Sequence, residues 1–249
     1  MYTTNSGMII PSKKELQLIH RGRDGDIYKY LDYAIKFVKV DLGKVTYFMT
    51  IKKVRKFIEV FNHELLVSPK EIIYDRNQKY VGYSMKYIEN KGIKSLSCDV
   101  FLESAEKLRE CFDLFTENGI EAFDTHGRNI LTNEKIFLID FDRFNLVEKS
   151  SELKKTNITQ YEDLIWHIIQ YAFFLSFNLN IPYTDGIWGQ QDYENWLKYI
   201  APFNNWAKQN GEKQKVLKFF KNELSNYKTV EEYLLDRRDH IVDEYSLPF

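Results

Sequence analysis

The 249-residue chain carries 35 Lys and Arg against 36 Asp and Glu, a formal net charge of −1, with 44% apolar and 29% charged residues. That balance is ordinary for a soluble globular protein of one large domain or two lobes, and it excludes a global basic field that would draw nucleic acid or an anionic membrane. Two cysteines, Cys98 and Cys111, argue against a disulfide framework and fit a reducing, cytoplasmic compartment.

The opening MYTTNSGMIIPSKKE has no basic segment followed by an apolar run, so no secretory signal is expected. LQLIHRGRDGDIYKYL alternates apolar and polar residues around a glycine-containing break, and DYAIKFVKV reads as a further strand. Ile51, Val54, Ile58, Phe61 and Leu65 then step by three and four, which predicts a helix over Thr46 to Leu66 that Ser68-Pro69 stops. EIIYD and KYVGYSMKYI read as two strands joined at Arg76-Asn77. Asn90-Lys91-Gly92 is a turn and the best lobe boundary, dividing residues 1–90 from 91–249.

Beyond that turn the pattern is helical. Phe101, Ala105, Leu108, Phe112 and Phe115 form one stripe, ended by Asn118-Gly119. A buried helix is expected from about Tyr161, after a short connector. Its apolar run from Leu164 to Leu179 is 16 residues long and holds His167 and Gln170, against the roughly 20 apolar residues that a membrane span needs. No membrane span is therefore expected. Three more amphipathic helical segments follow from about Gln191. A strand-rich part with one helix, followed by a helical part, predicts an α+β protein of two lobes.

Between the two helices of that second part lies AFDTHGRNILTNEKIFLIDFDRF, residues Ala122 to Phe144. It places Asp124, His126, Asn129, Asp140 and Asp142 at the ends of two short apolar runs, although Asp and Asn are poor strand formers. NIL-TNEK-IFLID reads as strand, turn and strand, which brings Asn129 and Asp140 together. An amide oxygen and a carboxylate are hard ligands suited to Mg²⁺, which fills its remaining positions with water and substrate phosphates. Asp124 sits on the loop that enters this hairpin.

The layout resembles the protein-kinase-like superfamily over roughly the first two-thirds of the chain, in motif order. The resemblance implies a bilobal fold that binds ATP with Mg²⁺, or Mn²⁺ in its place. It implies Asp124 as the residue that orients or deprotonates an acceptor hydroxyl, with Asn129 and Asp140 holding the metal. YAIKF resembles the strand that carries the phosphate-binding lysine, here Lys36, with Ala34 two before it. RGRDGDIY resembles the glycine-rich loop, with Gly22 and Gly25 as its second and third glycines, Ile27 after them, and His20 in place of the first glycine. Glu59, favoured over Glu64 by its distance from Ser68-Pro69, is implied as the helix glutamate that pairs with Lys36. YSMKYIEN resembles the hinge, with Met85 as gatekeeper and the backbone of Lys86 to Ile88 facing adenine. Asp163 resembles the aspartate that braces the catalytic loop. Singly, each residue has a structural reading as a turn former, an exposed lysine or a helix charge; their joint order carries the resemblance.

Departures from the pattern refine it. Ala122 and Phe123 stand where regulated protein kinases have His-Arg, and Asp124-x-His126-x-x-Asn129 is similar to aminoglycoside phosphotransferases and choline kinases. Asp142 replaces the glycine after Asp-Phe. Only 22 residues separate Asp140 from Asp163, with no Ala-Pro-Glu, so a long activation segment is missing. From Met85 to Asp124 there are 38 intervening residues, too few for the inserted helices that enclose a small acceptor. A protein Ser or Thr acceptor is thus favoured over a small alcohol. A pseudokinase binding module and nucleotidyl transfer are the alternatives.

Overall fold

The computed structural model describes residues 1–22, 24–39, 49–176, 198, 201, 205 and 216–245. The protein is α+β, and it divides into two compact units. The first comprises Met1–Glu89, Glu110–Asp124 and Phe137–Asn157; the second comprises Asn90–Arg109, Thr125–Ile136 and Ile158–Phe249.

The first unit is built on a seven-stranded antiparallel sheet. In chain order the strands are β1 (Tyr2–Thr4), β2 (Ile9–Ile10), β3 (Gln17–Arg21), β4 (Gly25–Tyr30), β5 (Tyr33–Val38), β6 (Pro69–Tyr74) and β7 (Tyr80–Lys86). Across the sheet they run β2-β1-β6-β7-β5-β4-β3. Strands β1 and β2 escape a periodicity argument because two or three residues cannot display alternation. One face of the sheet packs Ile10, Leu16, Ile35, Phe37 and Ile73 together, with the Phe37 ring against Tyr2 and Tyr28.

The helix expected over Thr46 to Leu66 is shorter: α1 covers Ile51–Val60, capped by the Thr50 hydroxyl that accepts the Lys53 N–H. Residues 46–48 lie outside the described residues. Beyond Val60 the chain turns at Asn62 and His63, whose Nδ1 accepts the Leu65 N–H. Leu65 and Val67 then exchange backbone hydrogen bonds with Leu138 at 2.8 and 3.0 Å, and this tertiary pairing outweighs the continued helical period. The buried stripe is Val54, Phe57 and Phe61, while Ile58 is exposed. The spacing was legible and its phase was not.

Helix α2 (Cys98–Glu117) places its last turns in this unit, where Phe112 and Phe115 join Phe57, Phe61, Phe141 and Phe144 in one aromatic cluster. Gly119 ends the helix at φ +66; a Cβ there would lie 2.5 Å from the Val147 carbonyl, so only glycine fits. Strands β8 (Ile120–Glu121) and β11 (Asn145–Leu146) pair antiparallel beyond it.

In the second unit Phe101, Ala105 and Leu108 of α2 are buried, as the stripe predicts. The stretch after Asn129 forms β9 (Ile130–Thr132), then a turn closed by the Asn133 N–H on the Lys135 carbonyl, then β10 (Ile136–Leu138), whose last two residues belong to the first unit. The helix expected from about Tyr161 starts ten residues earlier: α3 spans Ser151–Ser176, because the Ser150 hydroxyl caps it by accepting the Leu153 N–H. Tyr161 therefore lies mid-helix. Its hydroxyl, pushed up to about 12 by burial, donates to the Ala105 carbonyl. Helices α4 (Val216–Leu224) and α5 (Val230–Tyr245) follow. Apart from 198, 201 and 205, residues 177–215 lie outside the described residues, and part of the expected helical C-terminal stretch falls there. Among the described residues no helix is long and apolar enough to cross a membrane.

Candidate active site

Lys36 lies on β5 directly opposite Ile27 of β4 and Tyr83 of β7, so the three side chains leave one face of the sheet. The ammonium is buried. It sits 3.0 Å from Asp140 Oδ1 and 2.7 Å from Asp142 Oδ2. Tyr83 donates its hydroxyl to the other Asp142 oxygen at 2.9 Å, and the Lys53 ammonium donates to the Asp142 backbone carbonyl at 2.7 Å. Burial alone would lower the Lys36 pKa, but Asp142 and then Asp140 outweigh it and hold the ammonium well above its ordinary value. Burial pushes the Asp142 carboxyl up; Lys36 opposes that rise and Asp140 adds to it. Burial also lowers Lys53, against the pull of Asp142.

Two glycines shape the strand around Lys36. A Cβ at Gly25 would meet the Phe37 carbonyl at 2.8 Å and two Lys36 side-chain carbons at 3.2 Å. A Cβ at Gly82 would lie 2.0 Å from the Lys36 carbonyl, so β7 can approach β5 only with glycine there. Gly22 closes the β3–β4 turn by donating its N–H to the Gly25 carbonyl at 2.9 Å. Ala34 pairs with Met85 across β5 and β7, and both are buried. In the expected hinge Lys86 is exposed, Ile88 is half-buried, and the Tyr87 N–H between them donates to the Asp32 carbonyl.

Asp124 and Asp140 share an unusual backbone. Both lie at φ +61, in the left-handed region that non-glycine residues rarely adopt, and both are candidate site carboxylates. Asp124 Oδ2 lies 3.2 Å from Arg143 Nε. The segment entering Asp124 is held from α3 by Asn157. Its amide oxygen accepts the Ala122 N–H, and its nitrogen donates to the Ile120 carbonyl and the Thr116 hydroxyl. Asp163, which the resemblance implies as the brace, sits well inside α3 rather than at its start.

Glu59 does not meet Lys36. Its side chain is 73% exposed on α1, with Lys56 4.0 Å away. The cause is the phase of the helix: Glu59 lies two residues, about 200°, from buried Phe57 and so faces outward. Asp142 occupies the partnership instead. Asn129 belongs to the second unit, where its N–H donates to the His126 carbonyl and His126 Nδ1 accepts the Arg128 N–H.

Sequence reasoning missed Tyr83, Lys53, Arg143, Asn157 and the partnership of Asp142. Gly82 and Gly25, each within a strand, were local signals of a close backbone approach. Among the described residues no three His, Cys, Asp or Glu side chains converge as a metal site. Asp140, 43% exposed and acceptor-only when ionised, has the chemistry to ligate Mg²⁺, an ion that commonly takes only one or two carboxylates besides phosphates and water. No family model matches the chain, and no curated protein matches it.

Proposed function

We propose that the protein is an ATP- and Mg²⁺-dependent phosphotransferase with a bilobal protein-kinase-like fold, acting on a hydroxyl. One observation carries the reading: the buried Lys36 of β5 meets Asp140, a left-handed aspartate just after a strand–turn–strand segment. Kinase-type sites combine a phosphate-binding strand lysine with a metal-binding aspartate. The order of the flanking features, β3–β4 turn, β5, α1 and β7, supports it.

In this reading Lys36 binds the α- and β-phosphates, while Gly22 and Gly25 let the β3–β4 turn approach them. Asp140 would hold Mg²⁺, which when bound neutralises charge on the phosphates; the resemblance implies Asn129 as a further ligand. Asp124 accepts the acceptor hydroxyl proton as the oxygen attacks the γ-phosphorus; the bond to the β–γ bridging oxygen breaks and ADP leaves. Met85 and the backbone of Lys86 to Ile88 border the adenine. Asp124 is one-third exposed beside exposed Phe123, which supports a protein Ser or Thr acceptor over an enclosed small alcohol.

A nucleotide-responsive binding module is the second reading, favoured by the Arg143 contact that occupies an Asp124 oxygen. Incubation with γ-labelled ATP and Mg²⁺, alone and with a lysate, separates the two. Label on protein Ser or Thr supports the first reading. Label confined to low-mass metabolites turns it to a small-molecule kinase, and nucleotide binding without any label supports the module.

A further inference from the structure

With Glu59 turned to solvent, the helix supplies no anion to Lys36. Two carboxylates remain, and they are not equivalent. Asp142 is 2% exposed and Asp140 43%. Asp142 is gripped at both ends: one carboxylate oxygen meets Lys36, the other accepts the Tyr83 hydroxyl, and its carbonyl accepts Lys53. Its neighbour Phe141 is locked among Phe57, Phe61, Phe115 and Phe144. Tyr83 is itself the strand neighbour of Lys36 across β5 and β7, so the hydroxyl and the ammonium that hold Asp142 are set by one sheet register.

We infer that Asp142 is the positioning residue that fixes Lys36 for nucleotide phosphates, while exposed Asp140 is the carboxylate free to exchange its partner. The inference rests on the phosphotransferase reading. It frees Lys36 from needing a carboxylate on α1; the helix acts on the anchor through the Lys53 ammonium and the Phe57 ring. A helix-borne glutamate would tie the lysine to the position of the helix; here the tie lies in the sheet and the Asp-Phe-Asp segment. Lys53, the α1 side chain that does reach the site, meets a backbone carbonyl and brings a cation.

The test compares Asp142→Asn, Tyr83→Phe and Glu59→Gln with wild type in two assays. The first reads KM for ATP and kcat of phosphate transfer. The second needs no turnover: nucleotide-free protein is treated with an amine-acylating ester at one fixed pH, and acylation of Lys36 is read by peptide mass analysis. Loss of a charge-assisted hydrogen bond predicts that Asp142→Asn raises Lys36 acylation and KM for ATP by about tenfold or more. It should change kcat by a smaller factor. Tyr83→Phe, which keeps the carboxylate and guards against misfolding of the first variant, should raise both by about threefold. Glu59→Gln should leave both within about twofold of wild type. The inference is overturned if Glu59→Gln matches Asp142→Asn, or if neither Asp142→Asn nor Tyr83→Phe moves Lys36 acylation. Acylation that depends on Asp142, in a wild type that never turns over ATP, would uphold the anchoring and sink the phosphotransferase reading.

Discussion

The Lys36 ammonium lies 2.7 Å from Asp142 and 3.0 Å from Asp140, so one buried cation joins strand β5 to both carboxylates of Asp-Phe-Asp. The pair is a structural tie as well as a candidate binding group. Removing either member should therefore be felt in stability and in activity, in different proportions.

Asp140→Asn should separate the two. Asp140 is substantially exposed, and Asp142 keeps its hold on Lys36. The variant should melt within a few degrees of wild type yet lose Mg²⁺-dependent ATP turnover, because an amide is a poorer ligand for a hard cation. Full turnover in a folded Asp140→Asn protein would remove the basis of the site.

Lys36→Met should be costly to the fold. It strands the Asp142 carboxylate with Tyr83 as its remaining side-chain partner, and breaking a buried pair typically costs about 3–5 kcal/mol. The pH dependence has a defined sign. A buried carboxyl with its pKa raised binds more protons folded than unfolded, so stability rises as pH falls through that raised value toward the ordinary one. The deficit of Lys36→Met in denaturant titrations should thus shrink between neutral pH and about pH 4. In wild type the raised Lys36 contributes fully below the ordinary lysine pKa and loses that contribution only above it.

Asp124 is held at φ +61, which gives its substitutions an unusual ranking. Asp124→Ala and Asp124→Gly should lose about 10²- to 10⁴-fold in transfer rate alike, with nucleotide affinity little changed. Asp124→Gly should nonetheless be the more stable by about 1 kcal/mol, since only glycine enters the left-handed region without a Cβ penalty. Equal melting curves for the two variants would show that the left-handed backbone carries no strain.

Asn157→Ala removes two buried hydrogen bonds and one part-buried one around the segment entering Asp124. The expected loss is about 2–4 kcal/mol, with the Ala122 N–H left unsatisfied. If the bracing serves Asp124, the folded variant at low temperature should also transfer phosphate more slowly, with KM for ATP little changed.

The α2 stripe from Phe101 to Phe115 was legible because a single long helix buries one face throughout. The strand–turn–strand after Asn129 was legible because its apolar runs are bounded by turn residues. The α1 glutamate was not, since Val54, Ile58 and Phe61 fit a helical period as well as Val54, Phe57 and Phe61 do; the bonds of Leu65 and Val67 to Leu138 decide between them. Asn157 was invisible for a related reason. Its three partners lie far back along the chain, and nothing local distinguishes it from a solvent-facing helix asparagine. Asp142 was noticed as a departure, but its partner depends on the depth at which Phe141 is buried.

That burial has a consequence for ligand chemistry. Phe141 stands edge-on to Phe57, Phe61, Phe115 and Phe144, with ring centroids 4.9 to 6.4 Å away. An inhibitor that must evict this phenyl ring to open a cavity behind it would have to dismantle four such contacts and pull Asp142 from Lys36. Compounds that require an everted Asp-Phe segment should therefore bind poorly, and screening should favour those that fill the proposed nucleotide side and leave the ring in place.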